Sequence, residues 1–181
     1  NPQLVYCHVS AYGPIGPRAD WPGFDQLMQA SCGWEREQGG EGQAPMWLRF
    51  GVGDLFAGLS SLYALLLGLY ERNRSGVGQM VSSSLLGATL LSMSEAVVLE
   101  DGSLTPIEHV DAQQTGVSDA HRLYLCSDAW LVVAALQPDE VQRFKALMGD
   151  QPETWFAGLT RQAALAALAE VQVPAQAVLE A

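Results

Sequence analysis

One carboxylate stands apart from the rest of the sequence. Asp54 lies in front of a run, Leu55 to Tyr70, in which only Gly58, Ser60, Ser61 and Gly68 are not apolar. Two readings fit that position. Asp is a favoured helix N-cap, because its carboxylate accepts hydrogen bonds from the first unpaired backbone N–H groups. Ala57 stands where a capping box would carry Glu or Gln, so that motif is missing. Alternatively, the positive end of the helix keeps the carboxylate ionised in apolar surroundings. Gly51, Gly53 and Gly58 leave room for a substrate beside the backbone. An ionised, reachable carboxylate is a candidate nucleophile.

Other reactive types are sparse. Cys7, Cys32 and Cys126 are odd in number and widely spaced, with no CxxC pair, so neither a zinc ribbon nor a redox motif is indicated. Reduced thiols and a cytoplasmic location are the expectation. His8, His109 and His121 lack metal-ligand spacing, so no metal is expected. The net charge of -11 argues against broad nucleic-acid or anionic-membrane binding. A small phosphorylated ligand held by a few arginines stays open, and Arg72 and Arg74 are candidates. Their plainer role is to complement the C-terminal helix dipole.

The elements that must position Asp54 can be read around it. An all-round apolar helix is expected to be buried. The run spans about 24 Å at roughly 1.5 Å per residue, slightly short for a bilayer, so a core helix is preferred to a membrane span. Residues 4–10 (LVYCHVS) suit a buried strand of a parallel sheet. AYGPIGP follows at the strand's carboxyl end, where ligands gather in open α/β sheets. A short helix is expected over 24–31, ended by Gly33. Asp25 would sit in its first turn. EREQGGEGQAP reads as a polar loop, residues 79–84 as a short strand, and 85–99 as a helix.

Residues 100–118 lose periodicity and read as a linker. HRLYLC and WLVVAAL then read as a hairpin about SDA. A helix follows to Met148, with Asp139 as N-cap candidate. Further helices are expected over 152–159 and from Thr160 to Val171. The inner face of the last would carry Ala164, Leu165, Leu168 and Ala169.

Four blocks, in order, resemble one family: NPQLVYCHVSAYG, GPRADWPGFDQLMQASCG, GVGDLFAGLSSLYALLLGLYERNRSGVGQ and HRLYLCSDAWLVVAAL. The family is the class III CoA-transferases, which includes formyl-CoA transferase, carnitine CoA-transferase and α-methylacyl-CoA racemase. The GD at the helix start and the turn RSGxGQ are the most specific marks. The resemblance implies an α/β fold: residues 1–99 as part of a Rossmann-like, CoA-binding large domain, 100–118 as linker, and 119–181 as a small α+β domain. It also implies an internal segment of a longer chain, impaired on its own, whose full form is an interlocked homodimer.

By the same resemblance, Asp54 aligns with the catalytic aspartate, which carries covalent acyl and CoA intermediates while CoA passes from an acyl-CoA to a carboxylic acid. Coenzyme A and acyl-CoA are then substrates, with no permanently bound cofactor. Trp21, Pro22 and Gly23 match a CoA-contacting stretch, and Phe24 an aromatic that lies against CoA. Asp25 is implied to lie near the active site, and its plain alternative is helix-terminal charge. Backbone N–H groups of Ala11, Tyr12 and Gly13 are candidate oxyanion donors. Gln114 and Gly116 fall where transferases carry a flexible loop, with plain linker as the simpler reading. The racemase branch has a histidine at position 24 and a glutamate at position 137. Here Phe24 and Gln137 cannot exchange a proton, which favours transfer over racemisation. An acyl-CoA racemase or isomerase using other bases, and a non-catalytic CoA-binding remnant, are the rival readings.

Overall fold

Strand β1 (Tyr6–Ser10) opens the first of two compact units. The computed structural model describes residues 1–95 and 97–179 of the 181. The first unit holds Asn1–Gln38 and Ala44–Ile107, and the second Gly39–Gln43 and Glu108–Ala181.

In the first unit, β1 leads to α1 (Asp25–Cys32), α2 (Trp34–Gly39, whose last residue already counts with the second unit), α3 (Val52–Ser75), β2 (Met80–Ser84) and α4 (Leu85–Ser92). β1 and β2 pair in parallel, from Tyr6 opposite Met80 to Ser10 opposite Ser84. Both strands were legible, but β1 is not buried: Tyr6 and Val9 are exposed. The turn from α3 into β2 needs its glycines. Gly76 ends α3 in the left-handed region at φ 77°. A Cβ on Gly78 would run into the Leu4 backbone, because this residue crosses directly over the start of β1.

The burial of α3 differs from expectation. Its packed face is made of small residues, Gly53, Ala57, Ser61 and Gly68. They let the backbone approach the sheet: a Cβ on Gly68 would lie 2.9 Å from Val5 Cγ1 and 3.4 Å from Val81 Cγ1. Ser60 and Ser83 hydroxyls meet at 2.6 Å, tying α3 to β2. Most of the large residues face outward: Leu55, Leu59, Leu62, Tyr63, Leu66 and Tyr70 are all at least half exposed, while Phe56, Leu65 and Leu69 are half-buried. Among the described residues α3 is the one helix long and apolar enough to cross a membrane by length and composition. One side of it is nonetheless packed on β1, β2, α1 and α4.

Two other expectations change here. Part of the polar loop, EREQG, winds with Trp34 into α2, as its Glu, Arg and Gln favour. The helix expected to reach Leu99 ends at Ser92, whose hydroxyl donates to Thr89 O at 2.5 Å and accepts from Trp34 Nε1 at 2.9 Å. Ala96, within that expected helix, lies outside the described residues, as do Glu180 and Ala181 at the end of the expected small domain. Val98 and Leu104 then form an antiparallel bridge.

The second unit is a four-stranded antiparallel sheet in the order β3 (Gly116–Ser118), β4 (His121–Leu125), β5 (Trp130–Ala134), β6 (Ala175–Ala177). β3 falls inside the stretch read as linker, and β6 follows the expected break at Val173-Pro174. The hairpin pairs His121 with Ala134 through to Leu125 with Trp130, as the alternation indicates. Between β5 and β6 come α5 (Pro138–Met148), α6 (Pro152–Ala157) and α7 (Arg161–Glu170). They cover a core of Tyr124, Leu131, Val133, Phe144, Phe156, Ala164 and Leu168. Tyr124 and Phe156 stack with ring centroids 4.1 Å apart.

Two end-of-helix details are corrected. Gln137, not Asp139, occupies the N-cap of α5. Pro138 presets the first turn, and Glu140 Oε2 accepts the Leu136 and Gln137 N–H groups at 3.0 Å. Thr160 does cap α7, accepting from Ala163 N–H at 3.3 Å, but Ala169 is exposed.

Candidate functional site

Asp54 is exposed on the first turn of α3. It is not the N-cap: Gly51 holds that place and offers no side chain to the free N–H groups. The cap comes from another element. Asp25, in the first turn of α1, is only 4% exposed, and its Oδ2 accepts the Asp54 N–H at 2.8 Å. A buried carboxylate therefore sits on the positive end of α3, where negative charge is favoured, and among the described residues the Asp54 side chain is left uncommitted.

Asp25 is itself held. Gln29, one turn later on α1 and fully buried, donates from Nε2 to Asp25 Oδ1 and to Phe50 O at 3.0 Å. Both partners are acceptors, which fixes the orientation of the amide. Through Phe50 the same side chain anchors the approach to α3. Gly53 permits this arrangement: a Cβ there would lie 2.5 Å from Thr89 Oγ1 and 3.2 Å from Asp25 Oδ2. Thr89 is fully buried and donates its hydroxyl proton to Leu85 O at 2.8 Å.

The loop leaving β1 packs on the start of α4 and leads into α1. Ala11 O accepts the Leu86 N–H at 2.9 Å, which joins the strand exit to the start of α4. Gly23 packs so closely on Ala11 that a Cβ would collide with it. The Gly13 N–H is taken by Ser10 Oγ at 3.1 Å, so this group is not free to meet an oxyanion as expected. Tyr12 and Trp21 meet edge to face with centroids 6.3 Å apart. Pro22 is exposed beside Trp21, and Phe24, at the N-cap of α1, is 70% exposed.

The remaining candidates have plainer places. Arg74 pairs with Glu71 at 2.9 Å, and Arg72 Nη2 donates to Asn73 Oδ1 at 3.2 Å. In the second unit, Gln137 is exposed at the N-cap of α5. Gln114 Nε2 donates to Gly39 O at 3.0 Å, and Gly116 opens β3, so neither belongs to a free linker. Among the described residues, no group of three or more His, Cys, Asp or Glu side chains could hold a metal ion.

Sequence reasoning missed Gln29, Thr89 and Arg18, whose guanidinium lies against the Tyr12 and Trp21 rings. Gln29 carried a signal, since Asp25 and Gln29 stand four residues apart on one helix face. Thr89 carried none.

The family model for CoA-transferase family III matches residues 1–154. The chain belongs to that family. The succinate–glutarate CoA-transferase of Agrobacterium fabrum is 36% identical over 86 residues, covering 48% of this chain and 22% of that protein. A succinyl-CoA–D-citramalate CoA-transferase of Chloroflexus aurantiacus is 28% identical over 158 residues, covering 84% of this chain and 38% of its own length. A CAIB/BAIF family protein from Brucella suis superposes with a TM-score of 0.76 at 23% identity, over 99% of this chain and 54% of that one. The chain thus spans about half the length of that solved relative, and its α/β fold is the family's.

Proposed function

We propose that this chain carries the nucleophile of a CoA-transferase that moves CoA from an acyl-CoA to a carboxylic acid. The observation that carries the reading is the division of labour between two acids. Asp25 is buried and spent on the α3 N-terminus, while Asp54 is exposed at the same helix end with its carboxylate uncommitted among the described residues.

The chemistry follows from that free carboxylate. An Asp54 oxygen attacks the thioester carbonyl, the C–S bond breaks, and CoA leaves as thiolate, giving a mixed anhydride. The thiolate attacks the Asp54 carbonyl and the donor's acid leaves as carboxylate, so Asp54 now holds CoA as a thioester. The acceptor carboxylate attacks that carbonyl and releases the thiolate again. Attack of the thiolate on the acceptor carbonyl forms the new acyl-CoA and returns Asp54 to its carboxylate. Each step exchanges one activated acyl bond for another, so the covalent route divides a difficult transfer into easier ones. The relatives named for succinate, glutarate and D-citramalate support a short dicarboxylic acid as a substrate. Phe24 and Gln137 offer no proton-exchanging group for racemisation.

The test is Asp54→Ala in the enzyme assayed for CoA exchange. Turnover should fall by at least ~10³-fold, and removal of a covalent nucleophile elsewhere has cost about 10⁶-fold, with CoA affinity retained. Turnover at the parent rate would end the proposal.

A further inference from the structure

Arg18 is a cation held ready and left unneutralised. Its guanidinium carbon lies 5.2 Å from the Trp21 ring centroid and 5.7 Å from that of Tyr12. The two rings stand at 86° to each other. Arg18 O accepts the Trp21 N–H at 3.0 Å, so a backbone turn brings the guanidinium to the indole. Stacking occupies the faces of a guanidinium and leaves its in-plane N–H donors open. Among the described residues no acceptor bonds those donors and no carboxylate pairs with Arg18. In a chain of net charge -11, such a group is a local attractor for anions.

Its place in the fold gives that attraction a use. Arg18 lies in the loop that leaves the carboxyl end of β1, where ligands gather in parallel α/β sheets. The same loop runs through Gly23, packed on Ala11, into the helix whose first residue, Asp25, holds Asp54. A flat cation set against two aromatic rings matches multi-oxygen anions, carboxylate or phosphate, which accept two parallel N–H bonds.

We propose that Arg18, presented by Tyr12 and Trp21, receives an anionic group of the substrate, a phosphate or a carboxylate. The inference deepens the CoA-transfer reading and rests on it. The two sources are a phosphate of CoA and the distal carboxylate of a dicarboxylic acid.

The experiment compares the parent protein with Arg18→Gln and Arg18→Lys. Calorimetry measures binding of adenosine 3′,5′-bisphosphate and of glutarate at low salt, and exchange assays give KM for CoA thioester and acid. Arg18→Gln should weaken one of the probes at least about tenfold, the size of a lost charge-assisted bond. Arg18→Lys, which keeps charge but not the planar fork, should fall between. Loss confined to adenosine 3′,5′-bisphosphate assigns the phosphate, and loss confined to glutarate assigns the carboxylate. Equal binding of both probes by the parent and Arg18→Gln, with thermal midpoints unchanged, overturns the inference. A parent that exchanges CoA while Arg18→Gln keeps both KM values refutes Arg18 alone. A parent that binds either probe through Arg18 yet never exchanges CoA keeps the anion site and refutes the transfer reading.

Discussion

Asp25 Oδ2 accepts a hydrogen bond from the backbone N–H of Asp54 across 2.8 Å. The two residues are acids of the same length with opposite surroundings. Asp25 is buried on α1, bonded on both oxygens, and acts on the α3 backbone. Asp54 receives that support through its main chain and keeps its side chain in the open. The start of α3 is therefore set by a residue on another helix, not by its own cap.

Removing Asp25 should loosen that start. Asp25→Ala takes the acceptor from the Asp54 N–H and from one bond of Gln29. An orphaned buried donor costs about 1–3 kcal/mol. Asp25→Asn keeps one carbonyl oxygen and should lose less. Urea unfolding checks the ranking, and an alanine variant as stable as the parent would contradict it.

Gly53 sets two effects against each other. Alanine is favoured over glycine inside a helix by about 1 kcal/mol. At this position its Cβ would lie 2.5 Å from Thr89 Oγ1 and 3.2 Å from Asp25 Oδ2. Overpacking of that kind costs about 1–3 kcal/mol, so Gly53→Ala should destabilise. Adding Thr89→Ala should recover part of the loss, a non-additivity expected of touching residues. A stabilising Gly53→Ala would show that the contact gives way.

Asp111 supplies an acid-sensitive latch in the second unit. Burial pulls its pKa upward, but Thr115, through its N–H at 2.9 Å and hydroxyl at 2.7 Å, and Arg122 at 3.6 Å, bring it below the usual carboxylate value. A folded pKa below the unfolded one stabilises above the unfolded value, about 3.9, and is lost as pH falls through the folded one. The stability gap between parent and Asp111→Asn should therefore be largest above about pH 4 and close on further acidification. Urea midpoints across that range measure it, and a gap that widens toward low pH would reverse the assignment.

Much of this architecture was legible because it is local. β1, β2, the β4–β5 hairpin, α5 and the Thr160 cap follow from alternation, turn residues and capping chemistry. The placing of Asp54 at the start of α3 was legible for the same reason, as a break between a glycine-rich segment and an apolar run. Long-range details were not. The all-apolar look of α3 hid the fact that its packed face is the small one, since composition counts leucines and packing here uses Gly53, Ala57, Ser61 and Gly68. β3 and β6 are three residues each and owe their existence to β4 and β5. From position alone Asp25 read as a first-turn charge on its own helix, and only the family resemblance put it near the active site, because its partner at Asp54 is distant in sequence.

The most direct measurement is a trapping experiment on Asp54. The enzyme is incubated with acyl-CoA and quenched with borohydride or hydroxylamine, and its peptides are analysed by mass spectrometry. Reduction of an aspartyl thioester to the alcohol, or conversion to the hydroxamate, should appear on the peptide holding Asp54, require acyl-CoA, and vanish in Asp54→Ala. An enzyme that exchanges CoA with Asp54 unmodified, or that carries the adduct on another residue, would contradict the role given to this carboxylate.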